Sequence, residues 1–137
     1  MKFDNYEFRQ TCSMCPEQYD VFDEEGRQVA YVRLRWGSLY AECPDVCGTT
    51  VYSVDIGYDA GCFRSVNERT RHLKAIAKRI ELFNQPVFCP HCSEQHKMDV
   101  YDLDRLIDGG YVDIDCLECD QYFMARIVNG RILTYEP

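Results

Sequence analysis

A chain of 137 residues with a formal net charge of −8 and 13% aromatic residues is not a disordered segment, because aromatic side chains supply much of the burial that offsets chain entropy. No run approaches the roughly 20 apolar residues of a membrane span, and the opening MKFDNYEFRQ has neither a basic start nor an apolar stretch, so neither a membrane protein nor an exported one is expected. Nine cysteines in odd number and in close pairs then point to reduced, metal-ligating thiols in the cytoplasm rather than to a disulfide framework.

Residues 1 to 11 read as a strand or arm anchored by Phe3, Tyr6 and Phe8, and Cys12-Ser13-Met14-Cys15-Pro16 comes next. Tyr19 to Phe22 and Arg27 to Trp36 flank Asp23-Glu24-Glu25-Gly26, a polar turn that reads as a β-hairpin loop. In the second of these strands Ala30, Val32, Leu34 and Trp36 alternate with Tyr31, Arg33 and Arg35, an apolar face backed by a basic and aromatic one. Ser38 to Glu42 and Thr49 to Ile56 are two further strands, joined through Cys43-Pro44-Asp45-Val46-Cys47-Gly48. Ser65 to Phe83 is the one long helix. Ser65 caps its start with Glu68 at the capping-box position, and Leu73, Ile76, Ala77, Ile80 and Phe83 form a core-facing stripe. Pro86 ends the segment, so Asn84-Gln85-Pro86 is the expected boundary between one domain at 1–83 and another at 84–137. In the second, Leu103 to Ile107 reads as a short helix stopped by Gly109-Gly110. Tyr111 to Asp115 is a strand, and Tyr122 to Val128 and Arg131 to Tyr135 form a hairpin about Asn129-Gly130. The expected class is α+β, an N-terminal antiparallel sheet with one packed helix followed by a small β-rich module.

The chemistry concentrates in Cys89-Pro90-His91-Cys92 and Cys116-Leu117-Glu118-Cys119. Each Cys-x-x-Cys turn can aim two thiolates at one centre, and four thiolates in a tetrahedron are a preferred structural shell of Zn²⁺. These residues resemble the zinc ribbons, in which two cysteine turns on facing hairpins clamp one zinc. The resemblance covers residues 84–137. It implies a β-rich, zinc-stapled fold and leaves function open among nucleic-acid binders, protein-binding adaptors and structural staples. Four thiolates leave no open position for water, so catalytic zinc is not expected there.

Cys12, Cys15, Cys43 and Cys47 form a second candidate set, raising the zinc count from one to two if the intervening hairpin joins the pairs. Against it, Cys43-x-x-x-Cys47 is a residue wider than the usual turn, and both could instead be core residues. Cys62 is left over as an unligated thiol. A thiol-redox role for Cys12-x-x-Cys15 would need a thiolate at a helix N-terminus, and the flanking pattern here is β. His72, His91 and His96 form no triad by spacing, and neither a phosphate loop nor a nucleophile elbow is present. No catalytic residue is therefore assigned. Asp99, Asp102, Asp104 and Asp108 lack EF-hand spacing and read as a solvated acidic face.

From residue 83 onward ten acidic side chains accompany four basic ones, so this half should repel phosphate at long range. Basic side chains sit in the first half. Arg71, Lys74 and Lys78 on the helix, with Arg33 and Arg35 on the strand, make a nucleic-acid-binding surface the alternative, although charge runs are usually solvated faces. The residues favour a zinc-binding accessory or regulatory protein that acts by protein–protein contact, including as an acidic antagonist of a nucleic-acid-binding protein. Nucleic-acid binding and thiol-redox chemistry stand as alternatives.

Overall fold

The computed structural model describes residues 1–12, 15–58 and 61–137. Ser13, Met14, Asp59 and Ala60, and with them the middle of the Cys12-x-x-Cys15 turn, lie outside the described residues. The chain is α+β and divides into two compact units, Met1–Ile80 and Glu81–Pro137. The division falls inside the long helix rather than at the expected Asn84-Gln85-Pro86. The helix's last turn belongs with the second unit: Lys97 lies 5.3 Å over the Phe83 ring, and Gln85 bonds the Gly130 carbonyl and the Ile132 N–H.

The first unit is an antiparallel meander, β1 (Lys2–Phe3), β2 (Tyr6–Gln10), β3 (Gln18–Phe22), β4 (Gln28–Arg35), β5 (Ser38–Cys43) and β6 (Thr49–Asp55), hydrogen-bonded in sequence order. Every pairing is between chain neighbours, so short loops suffice. Strand alternation selects the core. Tyr19 and Val21, Ala30, Val32 and Leu34, then Leu39 and Ala41 are all buried, with Tyr19 opposite Val32, Val32 opposite Ala41 and Leu34 opposite Leu39. Trp36 departs from this alternation. Arg35 pairs with Ser38, so Trp36 falls in the two-residue turn at φ 51, where it is 73% exposed with the Arg35 guanidinium 4.0 Å from its ring. It leaves the pleat because the strand ends one residue earlier than the apolar pattern suggests.

Helix α1 (Val66–Asn84) begins as its cap residues dictate, with the Ser65 hydroxyl accepting the Glu68 N–H at 3.0 Å. The Glu68 carboxylate reaches back to the Arg64 N–H at 3.0 Å and also accepts the Tyr58 hydroxyl. Leu73, Ile76, Ala77 and Ile80 are fully buried, and each large aliphatic chain so placed contributes about 1.5–3 kcal/mol. Polar contacts fix the helix on the sheet. The Tyr52 hydroxyl lies 2.8 Å from His72 Nδ1, and Arg79 donates to the Val51 carbonyl at 3.1 Å. Arg69 donates to both oxygens of Glu17 at 3.0 and 2.7 Å. Glu17, 2% exposed, is the one buried charged residue among those described, and it also accepts the Tyr19 hydroxyl at 2.7 Å.

The second unit holds a small hairpin of β7 (Val87–Phe88) and β8 (Gln95–His96), helix α2 (Val100–Gly109), and a sheet of β9 (Tyr111–Cys116), β10 (Gln121–Val128) and β11 (Arg131–Tyr135) ordered β11-β10-β9. Asn129 and Gly130, at φ 52 and 78, supply the two left-handed positions of a primed hairpin turn between β10 and β11. Asp99 and Asp102 form a reciprocal capping box at the start of α2, so two of the four aspartates expected to form a solvated face instead satisfy helix N–H groups. Leu103 and Leu106 of α2 are buried with Val112, Phe123 and Ala125 of the sheet. Among the described residues, no helix is long and apolar enough to cross a membrane.

Candidate metal centre

Two turns of the same construction bring the second unit's cysteines together. In the first, the Ser93 N–H closes onto the Cys89 carbonyl at 2.8 Å; in the second, the Asp120 N–H closes onto the Cys116 carbonyl at 2.9 Å. Ser93 and Asp120 each take a positive φ, 67 and 59, which turns the chain back into β8 and β10. Short polar residues tolerate that conformation better than branched ones. Each turn thus presents both its sulfurs on one side. Cys89 and Cys119 approach to 3.8 Å and Cys92 and Cys116 to 3.6 Å, and all four ligand atoms lie within 4.8 Å of one another. These four cysteines can hold a metal ion.

The surroundings prepare the sulfurs for ligation. Burial works against charge on Cys89, yet backbone N–H groups of Cys92 and His91 outweigh it and bring the thiol down to about 7, with the His91 N–H 3.4 Å from the sulfur. At Cys92 the Glu94 N–H favours the thiolate, but burial and the adjoining thiols prevail and push it up to about 12. The two neighbouring sulfurs are thus pushed in opposite directions. A cation at the centre removes that conflict, because it favours all four thiolates together. Around the cluster, His91 Nε2 lies 3.2 Å from the Tyr122 carbonyl and the Thr134 hydroxyl donates to the Phe88 carbonyl at 3.0 Å, tying the first turn to β10 and β11. His96 is not among the clustered ligands; its ring packs edge-on against Phe123 at 5.3 Å.

The first unit's cysteines are arranged otherwise. Cys15 is joined to Cys62 in a disulfide, with their Cα atoms 5.4 Å apart. Cys62 is thus not the leftover thiol, and Cys15 is not available as a fourth thiolate beside Cys12, Cys43 and Cys47. It is also not paired with Cys12, as a Cys-x-x-Cys redox motif requires. Cys43 ends β5 on its buried side, and Cys47 is exposed at φ 66. Gly48 permits the turn that follows β5, since a Cβ there would sit 2.2 Å from the Cys43 carbonyl oxygen. Among the described residues, the one such cluster is that of Cys89, Cys92, Cys116 and Cys119.

The basic residues do not form one surface. Arg71, Lys74 and Lys78 are exposed along α1. Arg33 and Arg35 alternate with Ala30, Val32 and Leu34, so they occupy the face of β4 opposite its buried one. Tyr31, between them in the pattern, stands opposite Asp20 on β3 and Glu42 on β5, so acids share that face.

The disulfide and the Glu17–Arg69 pair left no mark that sequence reasoning could use, being separated by 47 and 52 positions. The Asp99-x-x-Asp102 spacing was a usable signal for the second helix's start. Comparison of the chain with protein-family models, curated proteins and solved structures finds no match.

Proposed function

We propose that residues 81–137 form a zinc-ribbon-type module in which Cys89, Cys92, Cys116 and Cys119 hold one structural Zn²⁺, and that the protein is an accessory protein acting by contact with another protein. The observation carrying this reading is the sulfur spacing. Zn–S bonds of about 2.3 Å in a regular tetrahedron require sulfurs about 3.8 Å apart, and the two close pairs stand at 3.8 and 3.6 Å. With four thiolates the ion has no open position, so it braces the two cysteine turns and polarises no substrate. Bracing matters in a unit this small, whose core alone contributes little, whereas a structural zinc adds folding free energy on the order of 10 kcal/mol.

Contact with protein rather than nucleic acid is favoured by charge. Residues 81–137 hold eleven acidic and four basic side chains, and a tetrathiolate zinc adds two further negative charges. Thiolate ligands fit a reducing compartment, the cytoplasm, where the Cys15–Cys62 bond is the element exposed to reduction. Metal analysis of the purified chain should find one zinc per molecule, lost in a Cys92→Ser, Cys119→Ser double variant. Chelation should abolish hydrogen-exchange protection in β9 and β10. A chain that contains no zinc and keeps that protection would overturn the reading.

A further inference from the structure

The sheet of the second unit has one face packed on α2 and one turned to solvent, and the register says which residues lie on each. Val112, Cys116, Phe123 and Ala125 are buried. The alternate positions form the open face. Asp115 stands opposite Tyr122, Asp113 opposite Met124, and Tyr111 opposite Arg126; across the other pairing, Met124 stands opposite Tyr135 and Arg126 opposite Leu133. Tyr111 is 58% exposed, Tyr122 51% and Leu133 45%. Single exposed apolar side chains are ordinary; a contiguous set on one sheet face marks an interaction surface.

Charge on this face is sorted. Its carboxylates, Asp113 and Asp115, are both on β9, and its guanidiniums are on β10 and β11. A groove of about 620 Å³ continues the acidic side, lined by Asp104, Arg105, Asp108, Gly109, Tyr111 and Asp113. The Arg126 guanidinium already lies 5.5 Å from the Tyr135 ring centroid, and Arg105 lies 3.7 Å from Asp113. Rings and carboxylates here thus receive guanidinium groups from the chain itself. Tyr111 and Tyr122 flank the β9 carboxylates and have no such cation over them among the described residues.

The geometry points to this face as the docking site for an arginine-rich segment of another protein, laid along β9 with its guanidiniums on Tyr111 and Tyr122 and against Asp113 and Asp115. This rests on the reading of the second unit as a binding module and names its partner's chemistry. Arginine is favoured over lysine because a planar guanidinium can stack on a ring and bond a carboxylate at once. A nucleic acid would meet a unit with eleven acidic and four basic residues, and a second copy of the chain would meet the same charge on itself. Both are disfavoured.

The test uses the 137-residue, zinc-analysed chain and a fluorescent nine-residue oligoarginine peptide, followed by anisotropy at two salt concentrations. Binding should weaken with salt, and an Asp113→Asn, Asp115→Asn variant should lose about tenfold in affinity, about 1.4 kcal/mol. The charge-matched Glu24→Gln, Glu25→Gln variant in the first unit should retain parental affinity within about twofold. Tyr111→Ala, Tyr122→Ala should lose a similar factor, and Tyr111→Phe, Tyr122→Phe should restore it, because the ring face is the binding element. The proposal is overturned if the peptide does not bind, if the two charge-matched variants weaken binding equally, or if a single-stranded oligonucleotide of matched length binds more tightly. A zinc-loaded chain that fails to bind the peptide defeats this inference alone. A chain that binds the peptide but contains no zinc defeats the metal reading alone.

Discussion

At the scale of single residues, Glu17 shows how a buried charge is kept. Burial alone would raise its pKa, but the Arg69 hydrogen bonds, with help from the Tyr19 hydroxyl and the Phe63 N–H, hold its carboxyl below the ordinary 4.5. Its own burial and the same proximity push the Tyr19 hydroxyl above the usual phenol range. Because the folded pKa is the lower one, the stability Glu17 contributes is fully present above its ordinary value and is lost as pH falls through the folded value. Glu17→Ala should therefore destabilise the first unit by about 3 kcal/mol at pH 7, since it strands Arg69 and the Tyr19 hydroxyl. The deficit relative to the parent should shrink below pH 4.5. Thermal melts followed by the fluorescence of Trp36, the chain's one tryptophan, would check this; a deficit unchanged between pH 7 and pH 3 would contradict it. Nothing in the order of residues singles out Glu17, because its partner Arg69 is 52 positions away.

At the scale of elements, local chemistry was readable. Ser65 and Glu68 start α1, the Asp23 loop links β3 and β4, and Asn129-Gly130 closes the last hairpin, each as expected. Their determinants lie within four residues of one another, so they survive without knowledge of the fold. The second helix was legible only in part: the apolar pair Leu103 and Leu106 marks its middle, while its start depends on Asp99 and Asp102 exchanging hydrogen bonds at 3.0 and 3.3 Å. Asp99→Ala removes the cap and should cost about 1 kcal/mol. Hydrogen exchange should show earlier opening of Val100 to Leu103, with less change at Phe123. Equal exchange in variant and parent would show that the cap contributes nothing.

At the scale of the whole molecule, the nine cysteines separate into classes. Two are joined, Cys15 to Cys62, and the other seven stay outside any disulfide. Thiol counting under denaturing, chelating, non-reducing conditions should yield seven; nine would disprove the bond. Closing a loop across 47 positions restricts the unfolded chain, so reduction should lower the stability of the first unit by about 2–4 kcal/mol, read by the Trp36 melt. The α+β class, the long helix, the hairpin turns and the cysteines that can share an ion are written in the order of residues, because each depends on the spacing of near neighbours or on period-two and helical alternation. That Cys15 takes Cys62, that Arg69 neutralises Glu17, and that tyrosines and carboxylates share one open sheet face emerges with the folded chain. Those outcomes depend on which distant segments meet, and on which side of a strand finds a packing partner; spacing along the chain encodes neither.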